Sequence, residues 1–194
     1  SGEVTSSADG ATVIADNIVD EANLKVSNSA VNGYMLTAQS GNTGGLTWAA
    51  APGGITMAQQ WRVSTDATGN HTPIASNWEK ADTDGAGYIG SDMTQSSGVF
   101  TFPSTGIYYI ELQVSVSTNA TLYNNIVIQT TLDNSGFNSA SEGYVYLEQN
   151  SQYSSSTVSF IFDVTNTSND KVRFVSSPQD TSAQMMGDTP NHRT

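Results

Sequence analysis

The 194-residue chain has no cysteine, so neither a disulfide framework nor thiolate chemistry is open to it. Basic residues are scarce as well. Six Lys and Arg stand against eighteen Asp and Glu, a formal charge of −12. A surface of that sign repels phosphate backbones and anionic lipid, and the few cations are scattered, which argues against nucleic-acid and membrane-surface binding. No run approaches the ~18 consecutive apolar residues of a membrane-spanning helix. The first ten residues, SGEVTSSADG, lack the basic and apolar regions of a signal peptide. Only His71 and His192 could serve as neutral-pH bases, and no Gly-x-Ser-x-Gly elbow is present.

What the chain does have is Ser 26, Thr 23, Asn 16 and Gly 17, with charged residues at only 12%. Such a composition can fail to bury enough apolar surface to offset chain entropy. Disordered acidic chains, however, are charge-rich and poor in aromatics, whereas this one carries 8 Tyr, 6 Phe and 3 Trp and is 37% hydrophobic. Its apolar residues fall in short alternating runs. The composition is therefore that of a β-protein whose outer faces are uncharged and rich in hydroxyls.

Composition changes at Pro52-Gly53-Gly54, which predicts a boundary between residues 1–54 and 55–194. The first section holds one basic residue, Lys25, and apolar pieces of a few residues (Val13-Ile14, Ile18-Val19, Tyr34-Met35-Leu36) separated by Asn and Gly. It has no helical periodicity. Too little apolar area is present for it to fold alone, so it reads as a stalk or attachment arm that gains burial from neighbouring copies or a host assembly.

Beyond Gly54 the pattern becomes strictly period two, the mark of half-buried strands. Tyr108, Ile110, Leu112, Val114 and Val116 alternate with Glu111, Gln113 and Ser115, and Val158, Phe160, Phe162 and Val164 alternate with Ser159, Ile161 and Asp163. Phe100 with Phe102, and Ile126 with Ile128, follow the same rule. A one-residue slip would turn each set to solvent, so these are the predicted core. Further strands are expected over Ile55 to Ser64, Ile74 to Glu79, Tyr144 to Gln149 and Lys171 to Ser176. With no convincing helix, the spacing is that of a sandwich or jelly roll.

Gly98-Val99-Phe100-Thr101-Phe102-Pro103-Ser104-Thr105-Gly106-Ile107-Tyr108 resembles the central motif of C1q/tumour-necrosis-factor-like jelly rolls. There G-x-F-x-x-P-x-x-G-x-Y leads into a long core strand. Trp78 to Asp82 and Asp170 to Phe174 sit where such domains place an early strand and its late partner, so the resemblance covers roughly residues 55 to 194. Pro103 cannot donate to a ladder and ends one strand, and Gly106 permits tight entry into the next. In the first section, Ala15 to Val26, Asn32 to Leu36 and Gly44 to Trp48 resemble stalk-proximal segments of bacteriophage fibre proteins, particularly those of marine and cyanobacterial phages. The fold expected is thus an all-β, C1q/TNF-like antiparallel jelly-roll sandwich with a short β-rich N-terminal stalk or arm. Because C1q-like domains are typically trimers, the combination implies a homotrimer on a virion surface. Chains of that family usually finish with an apolar strand ending in Leu-Gly, and this one ends Asn191-His192-Arg193-Thr194, so the last strand is expected to be missing and Thr194 not to be the natural end of the fold.

Signals for chemistry are few. His71 lies in a turn-like stretch, Thr68 to Pro73, and reads as a loop histidine. Asp82-Thr83-Asp84-Gly85 resembles the start of a calcium loop, but taking Asp82 and Asp84 as positions 3 and 5 puts Lys80 at position 1 and Ser91 at position 12, so EF-hand ligation fails. No catalytic residue, metal ligand or cofactor is assigned, and the chain is read as a non-enzyme. Binding chemistry is the remaining signal. Phe137, Tyr144, Tyr146 and Tyr153 lie among Ser, Asn and Gly in the stretch Asp133 to Thr157, expected to be largely loop, and such rings flanked by hydroxyls and amides suit glycans or varied epitopes. The competing reading is that these rings cover a sheet face or a subunit contact.

Three functions follow as expectations. The first is a trimeric phage fibre or knob that binds a host-surface glycan or protein through its jelly roll and joins other virion proteins through residues 1–54. The second is a capsid decoration protein that stabilises the shell. The third is a polysaccharide-hydrolysing tip, which would need converging carboxylates.

Overall fold

The computed structural model describes residues 4–6, 10, 12–14, 24–42, 44–51, 53–83, 85–118, 122–148 and 152–187. Among them there is no helix, and the protein is all-β with antiparallel sheets. Two compact units divide at Gly54/Ile55, where the composition changes.

In the first unit, β1 (Val4–Ser6) pairs with β2 (Thr12–Ile14), and β3 (Tyr34–Ala38) pairs with β4 (Leu46–Ala50) in a hairpin running from Tyr34↔Ala50 to Ala38↔Leu46. Asn28 clasps β4: its Oδ1 accepts from the Trp48 amide (2.8 Å) and the Thr47 hydroxyl (3.0 Å), and its Nδ2 donates to the Trp48 carbonyl (2.8 Å). Val31, Tyr34, Met35 and Leu36 remain exposed. A two-stranded hairpin has no second layer to cover them.

The second unit is a jelly-roll sandwich. Its strands are β5 (Trp61–Val63), β6 (Ala67–Thr68), β7 (Trp78–Lys80), β8 (Thr94–Ser96), β9 (Val99–Thr101), β10 (Gly106–Thr118), β11 (Leu122–Thr131), β12 (Asn138–Leu147), β13 (Gln152–Val164), β14 (Lys171–Pro178) and β15 (Gln184–Met185). One sheet has the order β13-β10-β15-β6 and the other β12-β11-β14-β9-β8, while β5 and β7 form a separate pair. The two long strands β10 and β13 are in register from Gly106↔Val164 to Thr118↔Gln152. This pairing sets the even residues from Tyr108 to Thr118 and from Ser154 to Val164 toward the other sheet.

The alternation therefore does what it predicted. Leu112, Val114, Val116, Val158, Phe162 and Val164 from the first sheet are buried against Phe100, Ile126, Ile128, Val145, Leu147, Val172 and Phe174 from the second, and Tyr108, Ile110 and Phe160 pack half-buried at the margin. Phe100 is the aromatic hub, its ring centroid 5.4 Å from Trp61, 5.1 Å from Trp78 and 5.4 Å from Phe174, mostly edge-on. The motif residues have local jobs. Ser97 and Gly98 both have positive φ (49° and 78°), the two-residue turn that matches strand twist in a hairpin, and they join β8 to β9. Phe102 packs on Tyr108 at 4.6 Å, and the Tyr108 hydroxyl donates to the Ser104 carbonyl at 2.9 Å, which closes the Pro103 corner.

Some elements are shorter than expected. Of Ile55 to Ser64 only Trp61–Val63 is a strand, with Ile55 exposed and Ala58 bridged singly to Ile89. Ile74 is buried, but Asn77 has φ 64°, outside the strand region, so the next strand starts only at Trp78. His71 is in the sheet rather than a loop: it exchanges backbone hydrogen bonds with Ser176, extending the ladder beside β14 where β9 stops. β15 pairs with Val116 and Ser117 beside β10. The expectation about the terminal segment falls on residues 188–194, and with His192 it lies outside the described residues, as does Asp84.

Candidate ligand-binding surface

Where the sandwich turns a face outward, alternation decides what that face presents. On β12 the inward residues are Val145 and Leu147, so Tyr144 and Tyr146 point out, and they are 57% and 62% exposed. The β11–β12 register puts Tyr123 opposite Tyr146 and Asn125 opposite Tyr144. Tyr123, 43% exposed, therefore joins the other two at one end of this face. The Tyr123 and Tyr144 rings meet at 5.7 Å with planes 72° apart, forming a floor and a wall. Asn125 and Ser177, opposite each other on β11 and β14, supply an amide and a hydroxyl beside them. Glu142 lies one step along the same row of β12, and Glu148 one residue beyond the strand; both are exposed.

The stretch Asp133 to Thr157 is mostly strand, which corrects its reading as a loop. Only residues 132–137 form the β11–β12 turn. It is tied by Asp133, whose Oδ1 accepts from the Thr131 hydroxyl (2.7 Å) and the amides of Ser135 and Gly136 (2.9 Å each). These bonds, the Thr131 hydroxyl first, hold the Asp133 carboxyl well below the ordinary carboxylate range. Phe137 is the last residue of this turn. The Arg173 guanidinium sits 4.1 Å over its ring centroid and is itself fixed by a 2.7 Å bond to Gln129, with burial lowering its pKa. Phe137 is thus on the face that carries the tyrosines but four residues of β11 away from Asn125, with an intramolecular cation on its ring.

Tyr153 belongs to the other sheet. It is opposite Ser117, on the outer face of β13 and β10. At the opposite end of that face Ile107, Tyr109 and Ile161 stand exposed at 69%, 65% and 66%, with Tyr109 directly opposite Ile161. The four residues singled out in the sequence are therefore divided. Tyr144 and Tyr146 come together, Phe137 lies along the same face, and Tyr153 is on the far side of the sandwich.

Sequence reasoning missed Tyr123, Ile107, Tyr109 and Ile161. The signal was present: once Ile126 and Ile128 are assigned inward, Tyr123 has outward parity, and the same holds for Tyr109 against Tyr108 and Ile161 against Phe162. Among the described residues no group of three or more His, Cys, Asp or Glu converges closely enough to hold a metal ion. No protein-family model matches the chain, and no curated protein matches it.

Proposed function

We propose that the protein is a trimeric surface subunit of a phage particle, a fibre or knob whose C1q/TNF-like jelly roll attaches to the host cell while residues 1–54 join it to other virion proteins. It acts by binding, without catalysis or cofactor. The observation that carries this reading is the separation of two exposed patches onto opposite outer faces of one sandwich. Ile107, Tyr109 and Ile161 make a contiguous apolar patch on one sheet, and Tyr123, Tyr144 and Tyr146 an aromatic group on the other. An apolar patch rimmed by Asp163, Glu111 and Ser159 is suited to association with its own copies. Rings beside Asn and Ser, facing away from that patch, are suited to recognition, because they give area at small entropy cost. The strand order of the two sheets supports the jelly-roll half of the resemblance.

The test is two measurements on one protein. Sedimentation should give a trimer, and that trimer should adsorb to host cells and block adsorption of the particle. A folded monomer at micromolar concentration, or a trimer that does not adsorb, refutes it. The decoration reading is favoured by one feature, the exposed Val31, Tyr34, Met35 and Leu36 of the N-terminal unit, which would suit contact with shell protein. Loss of shell stability on removing the protein, with adsorption intact, would support that alternative.

A further inference from the structure

We infer that the tyrosine end of the β12–β11 face binds a glycan bearing free amino groups, a glucosamine-type oligomer. The inference rests on the reading of this face as the recognition surface and adds the chemical class of what it holds. Three observations combine. First, Tyr123 and Tyr144 stand nearly perpendicular at 5.7 Å, with Tyr146 opposite Tyr123, so one ring can lie under the apolar face of a sugar while another closes its edge. Second, Asn125 and Ser177, both half-buried, border the rings with an amide donor and a hydroxyl, while the Asn125 Oδ1 is buried without a partner. Third, the charge is one-sided. Glu142 and Glu148 flank the two tyrosines along β12, about 7 Å per alternate residue, and the ion pairs among the described residues, Arg62–Glu79 and Lys80–Asp92, involve neither. The cations on this side of β14, Arg173 and Lys171, lie toward the other end of the face and are engaged there, Arg173 by Phe137 and Gln129 and Lys171 through its Nζ donating to the Thr167 carbonyl.

Electron-rich rings between two carboxylates on a chain of net charge −12 attract a cation and repel an anion. Sugars bearing carboxylates, such as uronic acids, are disfavoured by that field. Neutral sugars can stack but gain nothing from it. An amino sugar meets the rings, the hydrogen-bonding rim and the charge together.

The experiment measures binding of the assembled protein at pH 6 to four probes: a glucosamine hexamer, its N-acetylated counterpart, an oligogalacturonate and an oligo-lysine of equal charge. The glucosamine hexamer should bind at least tenfold more tightly than the N-acetylated one, and the oligogalacturonate should not bind. Tyr144→Ala and Tyr146→Ala should each weaken the hexamer tenfold or more. Glu142→Gln with Glu148→Gln should erase the preference for the free amine while leaving the melting temperature unchanged. Equal affinity for amine and N-acetyl forms, no binding of the hexamer, or tighter binding of oligo-lysine with no response to the tyrosine substitutions would each overturn the inference. Adsorption separates this from the broader reading. If Tyr144→Ala abolishes adsorption but the hexamer neither binds nor competes, the face recognises the host and the amine assignment is wrong. If assembled Tyr144→Ala protein adsorbs normally, the recognition reading of this face fails as well.

Discussion

Replacing Ile161 by alanine tests the assembly without disturbing the fold of a single chain. The substitution deletes three carbon groups, each worth about 0.8 kcal/mol when taken from water to a buried site. Because Ile161 is 66% exposed in the chain alone, about two-thirds of that, roughly 1.6 kcal/mol per copy, becomes available only when a partner covers it. A threefold assembly counts the loss three times, about 5 kcal/mol, or about 3.5 decades in the trimer dissociation constant. Since the concentration at half-assembly varies as the square root of that constant, it should rise about 50-fold. Sedimentation equilibrium or fluorescence detection during dilution reads this directly. The control is Tyr144→Ala, a larger truncation on the opposite face, which should leave the assembly midpoint unmoved. An unchanged midpoint for Ile161→Ala, or an equal shift from both variants, would refute the assignment of the Ile107, Tyr109 and Ile161 face to self-association.

Phe100→Ala should cost about 3–5 kcal/mol in unfolding free energy by denaturant titration, because it empties the center of a cluster made with Trp61, Trp78 and Phe174. Gly98→Ala should destabilise by at least about 2 kcal/mol, since φ 78° strains any side chain and the added methyl would collide with the Ile74 carbonyl, whereas Gly136→Ala, where a methyl meets only Asp133 oxygens near 3.8 Å, should be mild. Asp133→Asn should weaken the β11–β12 turn near neutral pH. The folded carboxyl is depressed, so its contribution is present above the unfolded value of about 4 and fades as pH falls through the folded one; the stability gap between wild type and variant should therefore close in strong acid, and a gap that widened there would contradict the hydrogen bonding described. Phe137→Ala removes the ring beneath Arg173 and should register in thermal stability rather than in adsorption, the reverse of what is expected of Tyr144→Ala.

The residues that make the core were legible because a strand has a side-chain period of two. Tyr108 to Val116 and Val158 to Val164 name their own inward set, and the antiparallel register of β10 and β13 leaves that set facing one way. The motif from Gly98 to Tyr108 was legible for a similar reason: proline and glycine restrict the backbone locally, so the hairpin turn at Ser97-Gly98 and the corner at Pro103 follow from short-range sterics. The same alternation, followed to its outward half, also carried Tyr123, Tyr109 and Ile161, although an outward residue gives no sign of which strand will lie beside it.

That question belongs to tertiary structure. Pairing of β11 with β12 in one register brings Tyr123 to Tyr146, residues 23 apart in sequence, and nothing within either strand selects that register alone. The assignment of β12 to one sheet and β13 to the other separates Tyr146 from Tyr153 across the sandwich, although only six residues lie between them. Arg173 reaches Phe137 because β14 lies next to β11, and this turns an apparently available ring into one that already has a cation over it. Local periodicity determined the buried side of β10, β12 and β13, whereas β11 and β14 are also buried on their other side, at Val127, Val175 and Lys171. The neighbours on the exposed side, and with them the two faces on which the proposed contacts fall, were decided by non-local strand pairing, in which the loss of chain entropy is repaid only when both long sheets close over the shared core.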